Sequence, residues 1–508
     1  MIRVVFHALQ RRAHMRPMAR AARTTARTAR DLLDLVLDPG WELRDEGLAA
    51  ADPLGFPGYR DRDPAVESVV SAEGAIGGTA VVGISFAFDV FGGSMGVAAG
   101  EKIARAFERA VERRAAVIAL TASGGARMQE GMPALAQMAK TVLARRGLTA
   151  AGLPFLAYLS HPTTGGVYAS FASLADVLWA EPGATIGFAG PRVAEQVAPL
   201  EDESHTAEYS LASGLVDDVI AIEDLRAAAT VFLQATLLPD EPIPPREAVD
   251  APVGTARGWD LVELARHPGR PSGRAILAAI ADSFVELRGD RAGMDDDGLA
   301  TGVARIGGRR AGIIALDRTR PTPPAYRKAY RSLRFSGALG LPLVTIVDTP
   351  GADPSSAAEA GGIARTIATA FRTVLEHPGP SVAVVSGEGG SGGGLALAVC
   401  DRVLVCENAI FSVIAPESAA AILRRDDVAG VAKDLRLTAT DLVSFGIADG
   451  VIPEPPGAAH ADPDAFVRAI GDAIGRALDD LSAIPQADRL EARRDRWRRV
   501  GNAALLSS

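Results

Sequence analysis

The chain has 508 residues, 48% hydrophobic and 23% charged, so we expect a globular protein with two or more domains. Its net charge is −9, aromatic residues make up 5%, and no basic stripe is interleaved with aromatic side chains, which argues against nucleic acid as a partner. No apolar run of about 18 residues predicts a membrane-spanning helix. The two cysteines, Cys400 and Cys406, exclude a disulfide framework and favour a reduced, cytoplasmic setting.

The N-terminal segment, 1–30, carries eight arginines and no acidic residue. Five of them recur every three or four positions and would share one helical face: Arg16, Arg20, Arg23, Arg27 and Arg30. A solvated helix or arm, a transit peptide, and a patch that meets phosphates or another subunit are all compatible with this composition. We therefore treat 1–30 as a basic N-terminal arm or helix.

A strand–turn–helix unit recurs along the rest of the chain. The strand-like run AAVIAL leads into a turn with Gly124 and Gly125, and PFLAYLS leads into a turn with Gly165 and Gly166. An apolar stripe predicts the helix after the first turn: Met132, Leu135, Met138 and Val142. Such units in series predict an α/β fold.

The segment 238–256 holds five prolines and little glycine, a composition typical of a stiff spacer. We place a linker there, between a first domain at 31–237 and a second at 257–455. The tail, 456–508, is predicted to be helical and ends in an arginine-rich stretch.

The two domains are predicted to be copies of one unit. The offset along the chain from Asp176 to Asp401 equals the offset from Pro191 to Pro416. The offset from Gly125 to Gly351 is longer by a single position. Because three landmarks stay in register over nearly half of the chain, we infer an internal duplication.

Each copy has two glycine turns that precede helices, where backbone N–H groups are unpaired and the helix dipole is positive. Two such turns side by side predict an oxyanion hole, in which two N–H donors meet one oxygen atom. The candidate donors are Gly124, Gly125, Gly165 and Gly166 in the first copy, and Gly351, Ala352, Gly392 and Gly393 in the second. Close helix–strand packing is the other interpretation. The two glycine motifs typical of nucleotide-binding sites, GxxxxGK[ST] and a GxGxxG that follows a strand, are not present in the required form.

Side-chain catalysts are sparse near these turns. His161 lies shortly before Gly165 and invites a general-base interpretation, although a structural histidine is the alternative. No residues are spaced along the chain as the ligands of a metal site usually are. No arrangement of Ser, His and Asp suggests a catalytic triad. An enzyme with this site would take its acid or base from a cofactor or substrate.

The motifs of the first copy resemble the β subunit of bacterial acetyl-CoA carboxylase carboxyltransferase. They are FDVFGGSMGVAAGEK (88–102), TASGGARMQE (121–130), TTGGVYASFA (163–172) and IGFAGPRVAEQ (186–196). The second copy resembles the α subunit of that enzyme through FVELRGDR (284–291), YRKAYR (326–331), VDTPGA (347–352), GEGGSGG (387–393) and FSVIAPE (411–417). The resemblance covers roughly 31–453.

The resemblance implies two tandem crotonase-like domains, each a ββα spiral. It implies transfer of a carboxyl group from carboxybiotin, on a separate carrier protein, to acetyl-CoA, giving malonyl-CoA for fatty acid biosynthesis. Gly124, Gly125, Gly165 and Gly166 would hold the thioester enolate. Gly351, Ala352, Gly392 and Gly393 would hold the biotin ureido oxygen. The implied partners are the biotin carboxyl carrier protein, biotin carboxylase and further copies of this chain, because the family's sites form between subunits.

Several positions depart from the family pattern. No CxxC occurs, so we expect no zinc ribbon; His161 replaces an aspartate, Gly394 replaces an alanine, and the segment between Leu316 and Tyr326 is short. These changes leave open another acyl-CoA such as propionyl-CoA, a weak enzyme, and an inactive structural paralogue. A separate alternative is a biotin-independent crotonase-type hydratase or a malonyl-thioester decarboxylase, and the absence of paired glutamates near the glycine turns counts against the hydratase.

Overall fold

The computed structural model describes residues 27–57, 59, 63, 66–190, 194–197, 199, 204–241 and 257–502. Arg16, Arg20 and Arg23 lie outside the described residues. The chain divides into two compact units after Leu237, which we call the first and second unit.

The first unit alternates strands and helices. Its strands are β1 Glu42–Arg44, β2 Val69–Ile76, β3 Thr79–Phe86, β4 Ala116–Ser123, β5 Phe155–Thr164, β6 Val177–Ala180, β7 Ile186–Gly187 and β8 Asp218–Val219. Its helices are α1 Ala29–Val36, α2 Val97–Arg113, α3 Gly131–Leu135, α4 Gln137–Ala150, α5 Gly165–Tyr168, α6 Ala207–Ala212 and α7 Ile222–Thr236. Short 3-10 helices cover Phe91–Gly93, Met128–Glu130 and Ala172–Leu174.

The second unit has the same plan and a longer helical tail. Its strands are β9 Ala281–Glu286, β10 Leu299–Ile306, β11 Arg309–Leu316, β12 Leu343–Thr349, β13 Ser381–Gly390, β14 Arg402–Cys406, β15 Ile410–Ser412 and β16 Gly450–Ile452. Its helices are α8 Trp259–Ala265, α9 Gly273–Ile280, α10 Pro323–Ala338, α11 Ser356–Ala360, α12 Ile363–Leu375, α13 Ser391–Leu395, α14 Pro416–Leu423, α15 Val428–Asp434, α16 Ala439–Ser444, α17 Pro463–Ser482 and α18 Gln486–Arg499.

The two sheets have one topology, which confirms the predicted duplication. In the first unit the strand order is β1-β2-β3-β4-β5-β6-β8, with β7 beside β5; in the second it is β9-β10-β11-β12-β13-β14-β16, with β15 beside β13. An antiparallel hairpin, β2–β3 or β10–β11, leads into parallel strands in each unit. The parallel strands are rich in valine, isoleucine and alanine because helices or other elements cover both faces.

The two aspartates that mark the repeat, Asp176 and Asp401, make equivalent hydrogen bonds in the two units. Asp176 accepts a hydrogen bond from the Phe155 amide (2.8 Å), and Asp401 accepts one from the Ser381 amide (2.8 Å). Phe155 and Ser381 are the first residues of β5 and β13. Each carboxylate therefore fixes the start of the strand that carries a glycine turn at its other end.

The apolar stripe after Gly125 does not form the buried face of one continuous helix. The segment breaks between α3 and α4, and Met132 and Leu135 are 70% and 46% exposed. The buried residues of α4 are instead Gln137, Thr141, Arg145 and Leu148. Polar residues can be buried on this face of α4 because they are hydrogen-bonded. The Arg145 guanidinium donates to Asp176 (2.7 Å), and Thr141 Oγ1 donates to the Gln137 carbonyl oxygen (3.0 Å).

The C-terminal tail holds helices α17 and α18, and the arginines of α18 bind it to the rest of the second unit. Arg493 is buried and donates to Asp401 Oδ1 (2.7 Å) and to the carbonyl oxygen of His377 (2.8 Å). Arg489 donates to the Gly379 carbonyl oxygen (2.8 Å), and Arg496 pairs with Asp449 (2.5 Å). The arginine-rich stretch thus binds carboxylates and carbonyls of its own unit.

Candidate active site

The two glycine turns of the first unit lie against each other. A Cβ on Gly125 would lie 3.2 Å from Gly165 Cα and 3.2 Å from the Gly166 nitrogen. A Cβ on Gly165 would lie 2.8 Å from Gly125 Cα. Both residues have positive φ, 118° and 63°. Glycine is required here for backbone conformation and for close approach.

Hydrogen bonds already occupy three of the four predicted donors in this unit. The Gly124 amide donates to the Gly92 carbonyl (2.9 Å), Gly125 to Ser123 Oγ (3.0 Å), and Gly165 to the Phe188 carbonyl (2.9 Å). The amides of Ala126 and Gly166 donate to no group in the described part of the chain. A Cβ on Gly166 would lie 3.4 Å from the Ala126 nitrogen, so these two unoccupied donors are neighbours.

The second unit repeats this arrangement. Gly351 has φ of 120°, its amide donates to Thr349 Oγ1 (3.1 Å), and Pro350 has no N–H to offer. The amide of Ala352, which follows Gly351 as Ala126 follows Gly125, donates to no described group. A Cβ on Gly393 would lie only 2.6 Å from that nitrogen. The structure therefore brings Gly351, Ala352 and Gly393 together.

The strand register shows how the glycine-rich stretch of the second unit corresponds to the first. Ser123 pairs with Thr163 in the first sheet and Thr349 with Gly389 in the second, so Gly165 corresponds to Ser391 and Gly166 to Gly392. Ser391 has the positive φ of Gly165, 53° against 63°. The stretch up to Gly390 belongs to β13, and helix α13 follows at once.

The remaining glycines of the stretch differ in what surrounds them. A Cβ at Gly387 would lie 2.4 Å from Asp348 Oδ1, at Gly389 2.8 Å from the Phe411 ring, and at Gly390 2.2 Å from the Pro350 carbonyl carbon. At Gly394 it would make ordinary contacts of 3.4 Å or more, and at Gly392 nothing lies within 4 Å. Packing thus demands glycine at the first three positions, whereas Gly392 borders open space.

A buried ionic cluster holds the first donor loop, and sequence reasoning did not identify it. Arg127, which follows Ala126, is fully buried and pairs with Glu67 and with Glu130 (3.0 Å). Glu130 accepts hydrogen bonds from the Tyr59 hydroxyl and from the Val97 amide (2.5 Å). The only sequence signal was an arginine and a glutamate three positions apart inside TASGGARMQE.

Charge balance keeps the buried Glu67 carboxylate ionised beside Arg127. Burial disfavours the charged carboxylate of Glu67, but hydrogen bonds and the charge of Arg127 outweigh burial and hold its pKa below its ordinary value. Burial and the hydrogen bond to Glu130 raise the pKa of Tyr59 to about 12. The cluster fixes the start of α2 and the loop carrying Ala126 relative to each other.

Different side chains hold the second donor loop. Asp348 accepts hydrogen bonds from the Glu388 amide (3.0 Å) and from Arg318 (2.9 Å), and burial raises its pKa. Arg266 bridges Glu388 (2.6 Å) and Glu417 (2.5 Å), which ties β13 to helix α14. At the position of Arg127 the second unit has Asp353, whose carboxylate accepts from Ser355.

His161 and the two cysteines are the other residues that the sequence analysis singled out. His161 is exposed, and its Nδ1 accepts a hydrogen bond from the Thr185 amide (3.2 Å), which favours a structural role. Cys400 and Cys406 are buried thiols without a disulfide, and burial raises the pKa of Cys400 to about 12. Within the described ranges no group of three or more His, Cys, Asp or Glu side chains could hold a metal ion.

Comparison with known proteins places this geometry in a family. The family profile described as acetyl co-enzyme A carboxylase carboxyltransferase-like matches residues 250–501. The acetyl-coenzyme A carboxylase carboxyl transferase subunits beta/alpha of Salinispora tropica are 42% identical over 92% of this chain and 90% of theirs. The probable biotin-dependent acyl-coenzyme A carboxylase beta3 subunit of Mycobacterium tuberculosis is 37% identical over 93% of this chain and 98% of its own.

Solved structures of carboxyltransferases have the same fold as this chain. A crystal structure of transcarboxylase 12S, with methylmalonyl-coenzyme A and methylmalonic acid bound, aligns with a TM-score of 0.75 and 25% identity over 90% of both chains. The predicted tandem crotonase-like α/β fold is confirmed. The named relatives and the duplicated fold define a biotin-dependent acyl-CoA carboxyltransferase. The chain belongs to the acetyl-CoA carboxylase carboxyltransferase family, in the form that carries the β and α parts in one polypeptide.

Proposed function

We propose that this protein transfers the carboxyl group of carboxybiotin, carried on a biotin carboxyl carrier protein, to acetyl-CoA and so makes malonyl-CoA for fatty acid biosynthesis. The observation that supports this most strongly is the duplicated pair of glycine turns, in which the amides of Ala126 and Gly166, and of Ala352 beside Gly393, donate to no described group. Two separate oxyanions arise in such a transfer, and each unit offers one set of donors.

In the first unit, the amides of Ala126 and Gly166 would stabilise the enolate oxygen of the acetyl thioester. Of the four glycines predicted here, Gly124, Gly125 and Gly165 serve to shape the turns, because their amides are already bonded. The ionic cluster around Arg127 keeps the Ala126 amide in place while charge develops. Removing one such donor typically costs about 10²–10³ in rate.

In the second unit, Ala352 with the first amides of α13, Gly392 and Gly393, would hold the ureido oxygen of biotin, and Gly351 would shape the turn. When bound, carboxybiotin supplies the carboxyl group and a ureido group that can take the methyl proton of the thioester. The protein then contributes placement and electrostatic stabilisation, which fits a site with few side-chain acids or bases.

Acetyl-CoA is the proposed acyl substrate because several relatives at about 40% identity are named for acetyl-CoA carboxylase. The mycobacterial relative is named more broadly, for an acyl-CoA carboxylase, and the transcarboxylase structure holds methylmalonyl-CoA. The deciding experiment mixes the full chain with carboxylated carrier and acetyl-, propionyl- or butyryl-CoA in parallel. Acetyl-CoA should give the highest kcat/KM; no carboxylation of any of the three by folded protein would overturn the proposal.

The same proposal assigns partners and a place in the cell. A biotin carboxylase would recharge the carrier, and the chain would act as a homodimer or larger homo-oligomer in the cytoplasm. No helix in the described part of the chain is long and apolar enough to cross a membrane. Sedimentation at nanomolar concentration tests the assembly, and a fully active monomer would contradict it.

A further inference from the structure

The internal repeat places a tyrosine in the second unit where the first unit has a glycine. The start of helix α2 at Val97 and the start of helix α10 at Pro323 are related by the same offset along the chain as Gly125 and Gly351. At that offset Tyr326 corresponds to Gly100. A Cβ on Gly100 would lie 2.5 Å from Gln137 Cβ, so a tyrosine could not occupy this place in the first unit.

The hydroxyl of Tyr326 is buried and has no hydrogen-bond partner among the described residues. The residue is 1% exposed, and its Oη is one of few buried side-chain oxygens left unpaired. An unpaired buried hydroxyl is costly, and such groups in folded proteins usually have a ligand, a water or a catalytic role to account for them.

That hydroxyl lies at the donor loop of the second unit. A Cβ on Gly393 would lie 2.8 Å from Tyr326 Oη and 2.6 Å from the Ala352 nitrogen. In the first unit the residue that corresponds to Gly393 is the buried Val167. The first unit therefore combines Gly100 with a larger residue, and the second combines Tyr326 with a glycine. Among the described residues, the second unit thus brings a tyrosine hydroxyl beside the Ala352 amide.

We propose that Tyr326 is a catalytic residue that donates its hydroxyl hydrogen to the same oxygen atom as the Ala352 amide. This inference rests on the proposed function and identifies that atom as the ureido oxygen of biotin, which gains negative charge when the N–CO₂ bond breaks. Burial raises the pKa of Tyr326, so the hydroxyl stays protonated and acts as a donor, not as a base.

The test is Tyr326→Phe in the full chain, assayed with carboxylated carrier and acetyl-CoA. We expect kcat to fall about 100-fold, in the range for loss of one oxyanion donor, while the KM for acetyl-CoA stays within about twofold. The midpoint of thermal unfolding should not fall, because the Tyr326 hydroxyl makes no hydrogen bond within the described part of the chain.

Tyr158→Phe is the matched control. Tyr158 is fully buried in the first unit, and its hydroxyl donates to the Ile220 carbonyl oxygen (3.0 Å). It should lower the unfolding midpoint and leave kcat unchanged, the reverse of Tyr326→Phe.

Each outcome decides the question. Wild-type transfer with an unchanged kcat in Tyr326→Phe overturns this inference and leaves the proposed function standing. A fall in kcat that is matched by loss of the unfolding midpoint assigns Tyr326 a structural role and also overturns it. A wild-type chain that carboxylates no acyl-CoA overturns the proposed function together with the inference.

Discussion

Gly393 approaches the backbone nitrogen of Ala352 so closely that a Cβ at residue 393 would lie 2.6 Å from it. Its neighbour Gly394 has room for a Cβ, with nearest contacts of 3.4 Å. Both residues belong to helix α13 and both are buried. Substitutions at the two positions can therefore distinguish an effect on the Ala352 amide from a general effect on this helix.

We expect Gly393→Ala to reduce carboxyl transfer at least about 100-fold, because the added carbon displaces the Ala352 amide. Acetyl-CoA binding, measured by calorimetry, should stay nearly unchanged because the proposed thioester donors belong to the first unit. Gly394→Ala should keep transfer and raise the free energy of unfolding by about 0.5–1 kcal/mol. Equal activity in the two variants would refute the assignment of the loop.

The equivalent experiment in the first unit uses Gly165→Ala. The residue has φ of 63°, and a Cβ would lie 2.8 Å from Gly125 Cα, so the two turns must separate. We expect kcat for acetyl-CoA to fall about 10²-fold or more while the carboxylated carrier still binds. Gly147→Ala on helix α4 is the control, since nothing lies within 4 Å of its added carbon and activity should persist.

The sequence predicted the duplication, the α/β units and the turns that meet, because glycine spacing and strand-like runs are local signals. It did not show which amides are free. That depends on acceptors such as the Gly92 carbonyl and Ser123 Oγ, which the fold brings to Gly124 and Gly125. Nor could it show that the stripe with Met132 would face solvent, because tertiary partners of polar residues on α4 decide which face is buried.

The ionic cluster beside Ala126 predicts an acid-sensitive first unit. The pKa of Glu67 is lowered from 4.5, so its contribution to stability is present above that value and is lost as pH falls through the lower folded-state pKa. Glu67→Gln should cost about 1–3 kcal/mol near neutral pH, because Arg127 loses a buried partner. Denaturation of wild type and variant at several pH values should show the difference shrinking below about pH 4.5.

An exposed carboxylate provides the control for that series. Glu108 lies on the solvent side of α2, and Glu108→Gln should change the free energy of unfolding by less than about 0.5 kcal/mol near neutral pH. A constant wild-type-to-Glu67→Gln difference from pH 7 to pH 3 would contradict the proposed charge balance.

Helix α18 should pack less firmly against the second unit when the ion pair between Arg493 and Asp401 is removed. Arg493 and Asp401 are both buried and joined by two hydrogen bonds, one of 2.7 Å and one of 2.6 Å. Arg493→Ala should destabilise the second unit by about 2–4 kcal/mol, because Arg489 is then the one buried charged partner left to Asp401 among the described residues. Hydrogen exchange should rise across α18, whereas Arg494→Ala, an exposed neighbour, should leave exchange unchanged.

His377, whose carbonyl oxygen accepts a hydrogen bond from Arg493, should make the second unit sensitive to mild acid. His377 is buried, its Nε2 lies 2.9 Å from the Leu341 carbonyl oxygen, and burial lowers its pKa from 6.5 to about 4. Arg493 and Arg489 also disfavour its charged form, while Asp401 favours it. The unfolded chain therefore binds a proton more readily than the folded one, and stability falls as pH drops from about 6.5 towards 4.

A shift of this size corresponds to about 3 kcal/mol of unfolding free energy lost across that interval. His377→Gln keeps a side-chain donor for the Leu341 carbonyl and cannot be protonated, so its stability should change less between pH 7 and pH 4.5 than that of the wild type. Chemical denaturation at both pH values, followed by a probe in the second unit, measures the difference. If the wild type and His377→Gln lose the same free energy over this interval, the histidine is not the acid-sensitive group.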